Sequence, residues 1–90
     1  MLNAFKDVSN ALVSYKETRE HRERQAEQVK SAMDAVRLAR LRSSGGNTGY
    51  LEVLTTDTDL YGAQLQLAQA QEQEAASLVQ LYAALGGGWR

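Results

Sequence analysis

The chain contains no cysteine and no proline, and only one histidine and one tryptophan in its 90 residues. Without cysteine there is no disulfide framework, no thiolate metal site and no cysteine nucleophile. With a single histidine, a zinc site would have to be built mainly from carboxylates, which is unusual. Lys plus Arg is 10 against 11 for Asp plus Glu, a net charge of −1. The basic excess that neutralises phosphates is missing, so no nucleic-acid partner is expected. Apolar runs reach only a few residues, far short of the roughly 20 that a membrane helix needs, so direct membrane insertion by this segment is not expected either. The opening Met1-Leu2-Asn3-Ala4-Phe5-Lys6-Asp7 lacks the basic-then-apolar order of a secretory signal. Nothing resembles a nucleophile beside its base, a phosphate-binding Gly loop or a cofactor box. The chain does not read as an enzyme, and no cofactor or metal is expected.

The missing proline is itself informative. Average usage would supply roughly four or five in a chain of this length. An interior proline removes a helix hydrogen bond and clashes with the preceding turn, so its absence fits long helices. The glycines punctuate the chain instead. Gly45, Gly46 and Gly49 lie near the middle, Gly86, Gly87 and Gly88 near the end, and Gly62 stands alone. The pattern predicts one all-α hairpin over residues 1–90: a helix from about 2 to 42, a turn at 43–49, a helix from about 50 to 85, and a Gly-rich tail at 86–90.

In the first segment Phe5, Val8, Leu12 and Tyr15 step by three and four, as do Ala26, Val29, Met33 and Val36. Both sets share one heptad frame, the spacing that keeps a stripe on one face of a supercoiling helix. Between them the frame passes through Arg19 and Arg22, inside a charged run that includes His21. Glu20 with Arg24, Lys16 with Glu20 and Arg19 with Glu23 have i,i+4 spacing, so the helix should continue there while its seam weakens. His21 reads as a solvated face residue. At 1.5 Å per residue the segment would run roughly 60 Å, too long for a compact globule of this size.

The second segment carries two seams. Leu51, Leu54, Thr58, Tyr61, Leu65, Ala68, Glu72, Ala75, Val79 and Tyr82 form one, and Leu60, Leu67, Leu78, Leu81 and Leu85, with Ala63 and Ala70 alongside, form another. A hairpin partner covers one seam only, so neighbours are expected on both sides, as in a four-helix bundle or a helical barrel. The expectation is that the hairpin buries the first seam and leaves Leu60, Leu67, Leu78 and Leu81 exposed for self-association. Val53, Thr55, Thr56 and Thr58 are β-branched, so a short strand at residues 50–58 competes with the helix.

The connection Ser43-Ser44-Gly45-Gly46-Asn47-Thr48-Gly49 carries its own signals. Gly45 or Gly46 can close the first helix in the left-handed conformation, and Asn47 or Thr48 can cap the second. Arg40 and Arg42 suit the negative end of the first helix dipole, and Glu52 the positive end of the second. Residues 1–44 hold nine basic and six acidic groups, net +3, and residues 45–90 hold one and five, net −4. The two helices attract, and so short a link should fold them antiparallel.

Leu41-Arg42, then Gly46, then Tyr50-Leu51-Glu52-Val53-Leu54 resembles the periplasmic tip of the outer-membrane efflux protein family, the TolC-like channels. The ending Leu81-Tyr82-Ala83-Ala84-Leu85-Gly86-Gly87-Gly88-Trp89 resembles that family's closing segment, and Phe5 to Leu12 its long penultimate helix. The three landmarks occur in the family's order and spacing, so the resemblance covers nearly the whole chain. It implies the last tip hairpin of a protein several times longer, a trimeric exit duct with two hairpin repeats and a membrane β-barrel. The implied location is the periplasmic portion of an outer-membrane channel, without the signal peptide, strands or first repeat of the parent. The implied partners are a periplasmic adaptor protein and, through it, an inner-membrane pump. Family members commonly carry Tyr where Ser43 stands and Asp where Thr55 stands. Of the acids implied for a closed pore, this chain therefore retains Glu52 alone.

The resemblance makes Arg42, Gly46, Thr48, Gly49 and Leu51 an adaptor-docking surface and Glu52 a pore-facing acid. The same residues also serve as turn formers and helix caps, and both readings stand at this point. Asp57 and Asp59, two apart on a helix, do not face each other, which argues against acid–base catalysis. Trp89 reads as a packing anchor or as the frayed remnant of a larger contact. Two functions remain: a piece of a transport duct that docks an adaptor, or a stand-alone helical hairpin whose role is self-association.

Overall fold

A computed structural model describes residues 2–45 and 49–87. Gly46, Asn47, Thr48, Gly88 and Trp89, and the side chain of Phe5, lie outside the described residues. Two helices, α1 (Leu2–Ser44) and α2 (Tyr50–Gly87), form a hairpin with no strand among the described residues. The helices outrun the sequence expectation by two residues each, to Ser44 and through Gly86 to Gly87. Two compact units divide the hairpin: Met1–Glu23 with Gln69–Arg90, and Arg24–Ala68.

The β-branched stretch after Tyr50 is helical, not a strand, and its threonines show how. The Thr55 hydroxyl donates to the Leu51 carbonyl at 2.8 Å, and Thr58 to Leu54 at 2.9 Å. Thr56 donates to the carbonyls of Glu52 and Val53, both at 3.0 Å. These back-bonds give each hydroxyl a partner on its own helix, so the threonines cost the helix little. Around the turn, the Gly45 N–H donates to the Leu41 carbonyl at 3.1 Å, carrying the α1 hydrogen-bond pattern one residue past the helix. The Glu52 N–H donates to the Gly49 carbonyl at 3.2 Å as α2 begins.

Each helix turns a strict heptad stripe towards the other. In the Arg24–Ala68 unit, α1 supplies Val29, Ala32, Val36 and Ala39, and α2 supplies Thr56, Leu60, Ala63 and Leu67. In the other unit, α1 supplies Val8, Ala11, Tyr15 and Thr18, and α2 supplies Ala70, Ser77, Leu81 and Ala84. A larger side chain alternates with Ala, Ser or Thr along the stripes, which lets the two backbones approach closely. Among the described residues only Ala39 and Ala70 fall to 1% exposure, while Val29, Val36 and Leu81 keep 7–9%. Two helices alone seal their small side chains and leave the large ones partly wet.

This reverses the expected assignment of the α2 seams. Leu60, Leu67 and Leu81 face α1, and Leu51, Leu54, Tyr61, Leu65, Val79 and Tyr82 are exposed. The seam with Ala63 and Ala70 wins because it allows close approach. The other carries Tyr61 and Tyr82, whose hydroxyls keep their water when exposed. On α1 the phase moves by one position: Val8, Tyr15, Val29 and Val36 stay on the stripe, but Leu12 and Met33 are exposed and Ala11 and Ala32 take their places.

Candidate functional site

The turn end of the Arg24–Ala68 unit gathers most of the described candidates. The Arg42 guanidinium donates from Nη1 to Glu52 Oε1 at 3.0 Å, bridging the last turn of α1 and the first turn of α2. Further from the turn, two residues back on α1 and five residues on along α2, Arg40 Nη2 donates to Asp57 Oδ1 at 3.3 Å. Partner numbers fall on α1 as they rise on α2, the order of an antiparallel pair. Each exposed pair contributes about 0–1 kcal/mol and mainly fixes which side chains stand together.

Gly49 lies just before α2, is exposed, and has nothing within 4 Å of the position a Cβ would take. Its φ lies outside the left-handed region, so its backbone does not require glycine. Leu51 is 74% exposed on the first turn of α2, facing away from α1. The structure therefore brings Arg42 and Glu52 together and leaves Gly49 and Leu51 as bare surface, while Gly46 and Thr48 lie outside the described residues. Sequence reasoning placed Arg42 and Glu52 separately, by helix dipole. Their charges and their symmetric distance from the turn were the signal for pairing them.

Sequence reasoning also missed two further features. Arg22 and Glu74 occupy stripe positions and meet at 2.8 Å, Nε to Oε2, with both side chains half-buried in the Met1–Glu23 and Gln69–Arg90 unit. Hydrogen bonding to Glu74 raises the Arg22 pKa above its ordinary value, so the guanidinium stays charged. The opposite sign of these two residues at inward heptad positions was the readable clue. Next to them His21 is half-buried, not fully solvated. Of the three i,i+4 pairs expected in the charged run, Arg19 with Glu23 forms, at 3.3 Å.

The second feature is a groove of about 690 Å³ in the Arg24–Ala68 unit, lined by Met33, Val36, Arg37, Arg40, Leu41 and Leu60. Asp34 and Ser44 line it as well, and its two arginines each meet an acid, Arg37 with Asp34 at 3.7 Å and Arg40 with Asp57 at 3.3 Å. No three of His, Asp and Glu among the described residues converge to hold a metal ion. Among those residues no helix is long and apolar enough to cross a membrane. Nothing in this arrangement positions a nucleophile against a base; it offers surfaces, not reaction chemistry.

A family profile described as "Outer membrane efflux protein" matches residues 1–87. The chain is 39% identical over its full length to the pyoverdine export outer membrane protein OpmQ of Pseudomonas putida, and spans 19% of that protein. It is 36% identical over 96% of its length to a probable efflux pump outer membrane protein, TtgC, of the same species, and spans 18% of it. It is 31% identical over 98% of its length to the cation efflux system protein CusC of Escherichia coli, spanning 19% of that protein. No solved structure matches the chain. The chain thus corresponds to about one-fifth of the relatives it matches.

Proposed function

Because the chain belongs to the outer membrane efflux protein family, we propose that it forms part of the wall of the periplasmic duct of an efflux channel, with the turn between α1 and α2 as the tip that docks a periplasmic adaptor protein. The observation that carries this reading is the coincidence of a family match over residues 1–87 with two long antiparallel helices. Such a wall needs helices that are apolar on more than one side, and α2 is built that way. Through the adaptor the channel would connect to an inner-membrane pump, and the segment's contribution is structural, not enzymatic.

At the tip, Gly49 and Leu51 offer open surface, and a partner's helix can approach closely where there is no side chain. Arg42 spends one donor on Glu52 and retains others for carbonyls or acids of the adaptor. Gly46 and Thr48 complete the proposed docking surface. Glu52 is proposed to face the pore from the same turn, with Arg42 holding its carboxylate in place.

The test is a Gly49→Trp substitution in the full-length channel, read by helicity and by adaptor binding together. The open space at Gly49 and its ordinary φ predict unchanged helicity. Adaptor binding should be lost. Unchanged binding with unchanged helicity removes this surface from the interface.

A second reading, self-association of the hairpin as its only function, is favoured by one observation. Leu54, Tyr61 and Leu65 are exposed along the α2 face turned away from α1, and large apolar faces of this kind mark contact surfaces.

A further inference from the structure

We infer that the Arg24–Ala68 unit turns one particular side to the lumen of the duct: the side that carries Gln28, Ser31 and Ala35 of α1 with Asp59, Gly62 and Gln66 of α2. This rests on the duct reading above and assigns the orientation of the hairpin within the wall.

The inward stripes divide this unit into two sides. Gln28, Ala35 and Arg42 recur every seven residues on one flank of α1, and Glu52, Asp59 and Gln66 recur in the same way on the matching flank of α2. The Arg42–Glu52 pair joins these two flanks, and the Arg40–Asp57 pair joins the two on the other side. Gln28, Ser31, Ala35, Asp59, Gly62 and Gln66 are all exposed and line a groove of about 550 Å³. The opposite side presents Met33, Leu54 and Tyr61, each at least half exposed. Of the exposed large apolar side chains described in this unit, only Leu38 lies on the polar side. In the Met1–Glu23 and Gln69–Arg90 unit, Ser14 and His21 on α1 and Gln73 and Gln80 on α2 take the same polar heptad positions. The exposed Leu12, Val79 and Tyr82 of that unit take others.

A duct passes its cargo through water, and an apolar lining sheds water. The side with Met33, Leu54 and Tyr61 calls for cover by other protein. Cover laid on the lumen side would fill the passage, so it can lie only outside. The chain is about one-fifth of the length of its relatives, so the rest of such a protein is there to supply it. Size agrees with chemistry. Helices in a closed ring crowd most along its shorter inner circumference. Ser31 and Gly62 lie between the polar side and the back of their helices, where a lateral neighbour comes closest, and both are small. Nothing within the hairpin requires a glycine at Gly62, and that crowding accounts for it.

The test uses the full-length channel with one introduced cysteine, Ser31→Cys, Gln66→Cys, Met33→Cys or Tyr61→Cys; the chain itself has none. All four side chains are exposed, so the fold should hold, which helicity checks. Each variant is treated with a methanethiosulfonate reagent that carries a bulky charged group. Labelling is read by mass, and single-channel conductance is read in a planar lipid bilayer. Ser31→Cys and Gln66→Cys should label fully and lose conductance on labelling, while Met33→Cys and Tyr61→Cys should keep theirs. Loss of conductance at Met33→Cys and Tyr61→Cys instead overturns the side assignment and leaves the duct reading standing. Polar-side positions that stay unlabelled are covered by protein, and overturn the assignment likewise. Full labelling at all four positions with no change in conductance takes the hairpin out of the wall and overturns the duct reading itself.

Discussion

Gly62 lies within α2, exposed, with nothing within 4 Å of the place a Cβ would occupy. No turn, close approach or left-handed backbone within the chain requires a glycine there. A glycine inside a helix costs roughly 0.5–1 kcal/mol relative to alanine, through the backbone freedom it loses on folding. Gly62→Ala should therefore raise stability by about that amount, read as a higher thermal or urea midpoint at low protein concentration. A lowered midpoint would mean that a contact absent from the isolated chain uses this bare position. The tip glycines differ in kind: Gly49 also has free space, but it lies outside the helix, so its bareness carries no helix penalty.

At the scale of the helices, Arg22 and Glu74 are, among the described residues, the one oppositely charged pair joining the inward stripes. Removing one partner leaves the other half-buried and unmatched, which costs more than replacing both by apolar groups. Glu74→Leu alone should lower the melting temperature, and adding Arg22→Leu should restore it or raise it beyond wild type. A double variant no better than the single would show that the pair is solvated and contributes little. Because bonding to Glu74 raises the Arg22 pKa above its ordinary value, the contribution of that charge is complete below the ordinary value and is lost only as pH climbs through the raised one. Helicity should consequently stay flat through neutral and mildly alkaline pH, with no step from this group. The helices themselves were legible in the sequence, because missing proline and three-four spacing are local signals. Their phase was not. Leu12 and Met33 looked like seam residues by size, yet Ala11 and Ala32 face inward, because a two-helix contact rewards close approach more than bulk. Periodicity shows that a helix has an apolar face without showing which partner covers it, and for α2, with two such faces, the choice is open until the partner helix is placed. The tip was legible in part: the charges of Arg42 and Glu52 were visible, but their bond depends on where the turn sets the two helix ends.

The whole chain buries little for its length, and this governs how its stability should behave. Its most enclosed large side chains keep 7–9% exposure, while Leu51, Leu54, Tyr61, Leu65, Val79 and Tyr82 remain in water along α2. A hairpin so arranged gains little from its own interior, and any partner that covers the exposed face binds the folded state and not the unfolded one. Mass action then stabilises the fold as the partner's concentration rises. If the partner is another copy of the chain, the melting temperature must climb with protein concentration; raising the concentration by about a hundredfold should shift it by several degrees or more. If the face is made for other helices of a longer channel, the isolated chain has no partner at any concentration, and its melting temperature stays low and constant. Melting followed by circular dichroism at the two ends of that range separates the cases, because a unimolecular transition has no concentration term. A constant melting temperature would assign the α2 face to the remainder of the channel, and a rising one to the chain itself.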